Sequence, residues 1–245
     1  PCLHNEPFAY IAAMQEMFAS AAGCLFLSEP ERDFAASLYD LSRVRRELLG
    51  GGLSREVVGD AARFRARTGV EGPFALCVGR KVPGKGADLL VGNFGDYLAL
   101  NPRENLRLVM IGSGTLEIPD DLRGRVVEVE AHCHADVYDA MAACEFLIHP
   151  SLYESFSLVM MEAWMNGRAV LVNGECDVTR HHVLRSNGGL YFSNLGEFCE
   201  TVALLRTNPG LRVAMGRAGR AYVEANYLWP DTVARFARFV GALEP

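Results

Sequence analysis

Short apolar runs alternate with longer amphipathic stretches along nearly the whole chain. The apolar runs predict strands at residues 24–27, 74–78, 106–111, 126–129, 146–149 and 170–172, with a last short one at 190–192. The stretches between them carry helical spacing. They predict helices at 9–22, from 29 to about 39, and at 54–68, 87–100, 136–144, 155–165, 195–206, 211–226 and 231–243. Ser28-Glu29-Pro30-Glu31 reads as a cap, with a serine before proline and a glutamate three residues on. Gly92 and Gly95 weaken the 87–100 helix, since each costs about 1 kcal/mol against alanine. Gly50-Gly51-Gly52 is the best linker candidate, and Trp229-Pro230 breaks the chain before the last helix. Strand–helix alternation of this kind predicts an α/β fold, a Rossmann-like parallel sheet with helices on both faces.

Composition narrows the function classes. Half of the 245 residues are hydrophobic, enough for a substantial core. The formal charge of −6 argues against a nucleic-acid partner, because phosphate backbones reward a basic face. No apolar run approaches the ~18 residues that span a bilayer. Seven scattered cysteines without a Cys-x-x-Cys pair fit a reducing cytoplasm better than a disulfide framework. Cys24, Cys77 and Cys144 read as small buried hydrophobes. His132-Cys133-His134 is the one cluster that looks like metal ligands, and no second cluster is spaced to complete a tetrahedral set, so no metal is expected. The chain opens without methionine or signal peptide, so a fragment of a longer protein is expected.

The richest segment is Glu154-Ser155-Phe156-Ser157-Leu158-Val159-Met160-Met161-Glu162. It follows a strand and Pro150-Ser151, and it precedes a helix stop at Gly167, so it reads as strand, tight loop, helix. A helix start presents open N–H groups and a partial positive charge that favour phosphate. Carboxylates accept from sugar and ribose hydroxyls. Eight residues of helix would separate Glu154 and Glu162 by ~12 Å; with Glu154 in the loop, both can face one ligand. Phosphate binding beside two hydroxyl acceptors points to a nucleotide-sugar. Gly79-Arg80-Lys81-Val82-Pro83-Gly84-Lys85-Gly86 adds two cations flanked by glycines at the carboxyl end of a strand, where such sheets bind ligands. Gly112-Ser113-Gly114 lacks the third glycine and the later acid of a dinucleotide fingerprint and reads only as a strand-to-helix turn on the nucleotide side.

The acidic segment resembles the Glu-x7-Glu motif of retaining glycosyltransferases of the GT-B fold, especially glycosyltransferase family 4, with Ser157 where that motif has glycine. Gly79-Arg80 with Lys85-Gly86, Val109 to Gly114, Pro150 to Glu154 and Gly167 to Val172 fit the same family in the same order, over most of residues 70–225. The resemblance implies sugar transfer from a nucleoside-diphosphate sugar to an acceptor hydroxyl with retained configuration and no metal or other cofactor. Arg80 and Lys85 would neutralise the diphosphate, with Gly79 and Gly112 beside it. Ser155, Phe156, Ser157 and Leu158 would act through backbone N–H groups, a serine at 157 being tolerated at a helix start. Glu162 would hold the ribose and Glu154 the transferred sugar. His4, in Leu3-His4-Asn5, would stand by the sugar from the first domain.

By the same resemblance, residues 1–52 are the end of an acceptor-side Rossmann-like domain plus linker, 53–228 the donor-binding domain, and 229–245 a helix crossing back. The acceptor stays open, as does peripheral membrane contact through the missing N-terminal region. A non-catalytic nucleotide-sugar-binding module, or a sugar-nucleotide hydrolase or epimerase on the same fold, are the alternatives.

Overall fold

A computed structural model describes residues 12–82 and 84–243 of the chain. The first unit holds α1 (Ala12–Ser20), β1 (Gly23–Phe26), α2 (Glu29–Leu38) and β2 (Arg45–Leu48). β1 and β2 pair in parallel around a small core of Phe18, Phe26, Ala35, Tyr39 and Leu41. Cys24 in β1 is only partly buried, unlike the buried Cys77 and Cys144. The cap at Ser28 forms as expected: its hydroxyl accepts from the Glu31 N–H at 3.3 Å, and Glu31 reaches back to the Leu27 N–H at 2.7 Å.

The main unit continues with α3 (Ala61–Thr68), β3 (Phe74–Val78), α4 (Ala87–Leu100), β4 (Arg107–Ile111), β5 (Val126–Glu128) and α5 (His134–Ala143). β6 (Phe146–His149), α6 (Leu158–Met165), β7 (Val170–Asn173), α7 (Asp177–Ser186) and β8 (Gly189–Phe192) follow. α8 (Leu195–Thr207), α9 (Pro209–Asn226) and α10 (Trp229–Gly241) close the chain. Six parallel strands stand in the order β5-β4-β3-β6-β7-β8. Strands buried on both faces need no polar side, which is why β3 is apolar throughout and β6 and β7 are apolar up to their last residues, His149 and Asn173. Phe74, Leu76, Leu147 and Val170 point into one core with Phe64, Met141 and Trp164 from α3, α5 and α6. Ala75, Cys77, Phe146 and Leu171 point into the other with Leu90, Phe94 and Phe198 from α4 and α8. The order reverses between β3 and β6, and the crevice at that switch point is where such sheets bind ligands.

Several expectations need correction. The helix read at 54–68 begins only at Ala61, because Asp60 caps it by accepting from the N–H groups of Ala62 and Arg63. The helix read from 155 begins at Leu158. Trp229-Pro230 starts α10 rather than preceding it, since proline is preorganised for a first turn. Gly50 to Gly52 lie under the rings of Tyr227, Phe156 and Trp229, where any side chain would collide. Beside them Leu53 exchanges backbone hydrogen bonds with Tyr227 (2.8 Å) and Trp229 (3.0 Å), so the two crossings between units are tied together.

α7, absent from the sequence reading, buries His182 in an aromatic box with Phe156, Tyr222 and Tyr227. Its Nδ1 meets the Tyr222 hydroxyl at 2.9 Å, while Nε2 is buried without a partner. Burial, helped by neighbouring His181, depresses its pKa from 6.5 to about 3, so the imidazole is neutral in the fold. A depressed folded pKa supports the fold above pH 6.5, and that support fades as pH falls from 6.5 towards 3, by roughly 1.4 kcal/mol per pH unit. His182→Phe should therefore flatten the loss of unfolding free energy between pH 6.5 and 4 in denaturant titrations. Parallel pH slopes for the two proteins would refute this.

Candidate active site at the sheet switch point

The loops after β3 and β6 face each other across the crevice and are stitched together by Gly84. Its carbonyl accepts from the Leu152 N–H at 3.0 Å and from the Ser151 hydroxyl at 3.4 Å. Gly86 starts α4 at φ 69°, and a β-carbon there would lie 2.5 Å from the Pro150 carbonyl oxygen, so only glycine lets the two loops close. Between them lies a cavity of about 310 Å³.

Most of the expected site residues line this cavity. Gly79, Arg80 and Lys85 come from the β3 loop; Glu154, Ser155, Phe156, Ser157 and Leu158 come from the β6 loop and the start of α6. Arg80 is exposed and makes no hydrogen bond or ion pair among the described residues. Lys85 Nζ lies 2.6 Å from Glu154 Oε1 and 3.5 Å from the Tyr153 carbonyl. Glu154 is largely buried and also meets His149 Nε2 at 3.1 Å. Burial pushes its pKa up, but the hydrogen bonds and charges of His149 and Lys85 outweigh this and hold it at about 2. Lys81, in the same loop, is spent elsewhere, paired with Glu128 at the end of β5.

Ser157 departs from expectation. It occupies the N-cap position of α6 at φ 67° and ψ 78°, a left-handed conformation, and its hydroxyl caps nothing. A serine that caps a helix is extended and bonds the second or third N–H. With that bond forgone, no side chain caps the start of α6, whose first residues Leu158 and Val159 line the cavity. Phe156 contributes more than backbone: its ring packs edge-on against His182 and Tyr227, 5.3 and 4.9 Å between centroids.

Gly112 lies in an adjoining cavity of about 950 Å³, which shares Gly79 and Arg80 with the first and extends to His132–His134. Its φ is 147°, and a β-carbon would strike the Gly79 carbonyl, so glycine is what lets the β3 and β4 loops approach. Glu162 lines neither cavity. It is half-buried on α6, where burial raises its pKa and the Tyr138 hydroxyl, 3.3 Å away, partly offsets that. His4 lies outside the described residues. Among those residues, no three His, Cys, Asp or Glu side chains gather as a metal would need, and no helix is long and apolar enough to cross a membrane.

Sequence reasoning missed His149, Tyr138 and the second cavity. His149 is a polar residue closing an otherwise apolar parallel strand, the position from which side chains reach the ligand crevice, and that was its available signal.

Comparison with known proteins bears on the family and the fold. A D-inositol 3-phosphate glycosyltransferase of Frankia alni is 30% identical over 98% of this chain and 64% of its own length. A GDP-mannose-dependent monoacylated α-(1-6)-phosphatidylinositol monomannoside mannosyltransferase of Corynebacterium glutamicum is 26% identical over 64% of this chain and 44% of its own. The chain thus spans less than two thirds of either relative. Among solved structures, sucrose-phosphate synthase of Thermosynechococcus elongatus superposes with a TM-score of 0.82 at 18% identity, over 98% of this chain and 62% of that one. HepE of Anabaena, solved with UDP and glucose, gives 0.80 at 16%, over 99% and 70%. The family described as Glycosyl transferases group 1 matches residues 72–208, more than half of the sequence, and the chain belongs to that family.

Proposed function

We propose that this chain is the donor-binding part of a retaining glycosyltransferase, moving a sugar from a nucleoside-diphosphate sugar to an acceptor hydroxyl. The observation that carries this reading is one crevice holding an unpaired Arg80, Lys85, the open start of α6 and an ionised Glu154. Cations and helix-start N–H groups suit a diphosphate and stabilise it as it leaves. They neutralise it without a metal or other cofactor. The nucleoside lies towards Gly112 and the second cavity, with Glu162 accepting from the ribose hydroxyls.

Glu154, with a pKa of about 2, is an anion at neutral pH and supplies no proton. It accepts from sugar hydroxyls and stabilises the positive charge that develops on the sugar. The acceptor hydroxyl attacks the anomeric carbon on the face from which the diphosphate departs, and its proton passes to a phosphate oxygen of the leaving group. One C–O bond breaks as another forms, and configuration is kept. The reading places the protein in the cytoplasm, where such donors are made.

HepE was solved with UDP and UDP-glucose, and the Corynebacterium protein is named as GDP-mannose-dependent, so these donors frame the test. Calorimetric titration with UDP, UDP-glucose, GDP and GDP-mannose should show binding of one pair. Glu162→Gln should weaken even the sugar-free nucleoside diphosphate roughly tenfold, since charge-assisted bonds to ribose are lost. Absence of binding to a panel widened to other bases and sugars would overturn the reading. Release of nucleoside diphosphate without any acceptor would turn it into a hydrolase, and tight binding without turnover in a protein with an acceptor domain into a binding module.

A further inference from the structure

Ser157 is one of two non-glycine residues with positive φ among those described, the other being Asn187. Asparagine tolerates that region, whereas serine is held there against a steric penalty. Such strain persists only where the surroundings impose it, and it gathers at ligand sites. The surroundings here are specific. The residue is buried, and its Oγ lies 3.0 Å from His149 Nε2. The same nitrogen lies 3.1 Å from Glu154 Oε1.

Proton bookkeeping fixes the donors. An ionised carboxylate only accepts, so Nε2 carries the hydrogen and shares it between Oε1 and the Ser157 oxygen. The serine is then an acceptor towards His149. Its own hydroxyl hydrogen has no other acceptor among the described residues, and the side chain lines the cavity next to Glu154.

We propose that the Ser157 hydroxyl donates a hydrogen bond to the transferred sugar, and that His149 is the positioning residue that aims it. The assignment rests on the reading above, in which Glu154 faces the sugar. A sugar hydroxyl both donates and accepts, so it can give its hydrogen to Glu154 while taking one from Ser157, two groups held by one imidazole nitrogen. A phosphate oxygen only accepts, and it would be repelled by the Glu154 carboxylate at the same spot. The diphosphate has Arg80, Lys85 and the start of α6 instead.

The test compares each nucleotide-sugar with its matching diphosphate, UDP-glucose with UDP and GDP-mannose with GDP, by calorimetry. Ser157→Ala should weaken the bound nucleotide-sugar about 3- to 10-fold, the scale of one neutral hydrogen bond, and leave the diphosphate within about twofold. Ser157→Gly should show the same loss with a raised melting temperature, because the backbone strain is relieved. His149→Gln, whose amide nitrogen reaches the place of Nε2, should keep most of the sugar discrimination, and His149→Leu should lose it; melting curves confirm that each variant folds. If Ser157→Ala binds both ligands like the unaltered protein, or loses both equally, the serine assignment is wrong while the donor reading stands. If the unaltered protein binds none of the four, both fall.

Discussion

Replacing Lys85 with alanine is expected to weaken nucleoside-diphosphate binding by about 1.5–3 kcal/mol, the usual range for hydrogen bonds to charged groups, or roughly 10- to 150-fold. Arg80→Ala should fall in the same range, towards its lower end. The difference follows from what each side chain leaves behind. Arg80 is exposed and partnerless among the described residues, so its removal subtracts only its own contacts. Lys85 holds the largely buried Glu154 carboxylate at 2.6 Å. Without the ammonium, that negative charge faces the incoming diphosphate uncompensated save for His149, and the repulsion adds to the lost attraction. Free nucleoside carries no phosphate and should bind both variants nearly as well as the unaltered protein. Titrating nucleoside and nucleoside diphosphate into each variant checks this. Equal losses for the two ligands would mean that the loop after β3 is a structural element and not a phosphate site.

The sequence exposed those two cations because their setting is local. Glycines at 79, 84 and 86 mark a tight turn after an apolar strand, and a turn at the carboxyl end of a parallel strand opens on the crevice. β3, β4, β6 and β7 were legible for a related reason: burial on both faces leaves polar residues only at the strand ends, Arg107, His149 and Asn173, so the apolar run is not blurred. β2 was not legible, since Arg45-Arg46-Glu47-Leu48 borders a two-stranded sheet with little burial and reads as a charged loop. α7 was hidden by its core face. Of its five buried residues, Thr179, His182 and Ser186 are polar, so a helical pattern existed without a hydrophobic one. The left-handed turn at Ser157 was signalled only by the resemblance, whose motif has glycine there; the serine itself pointed the other way, since serine ordinarily caps a helix in extended conformation. The contact its hydroxyl makes is tertiary, with His149 on a strand eight residues earlier. The ion pair of Lys85 with Glu154 is tertiary as well, joining residues 69 apart in the chain. Sequence could name both partners for the ligand and had no means of pairing them with each other.

That pairing sharpens what Glu154→Gln should do. In a protein that carries this chain together with its acceptor-binding part, turnover should drop on the order of 100-fold, the scale reported for losing one preorganised contact to developing charge. The amide keeps the shape and still accepts from a sugar hydroxyl, but it no longer offers a negative charge to the sugar as its positive charge grows. Nucleoside-diphosphate affinity should not fall with it. Glu154 engages Lys85 at 2.6 Å, and the neutral amide would release that ammonium for the phosphates, so affinity is expected to hold or rise. The contrast with Glu162 is the decisive feature. Glu162 sits on α6 with Tyr138 as its partner, and its loss should be felt by the nucleoside diphosphate itself. Because Glu154 stays ionised down to about pH 2, its titration should also leave no acid limb in the turnover profile above roughly pH 3. The measurement is paired: diphosphate affinity for both glutamine variants, and transfer rate across pH for the enzyme. Should Glu154→Gln weaken diphosphate binding as much as Glu162→Gln, the two carboxylates do not divide nucleoside from sugar, and the charge beside Lys85 must serve the phosphates instead.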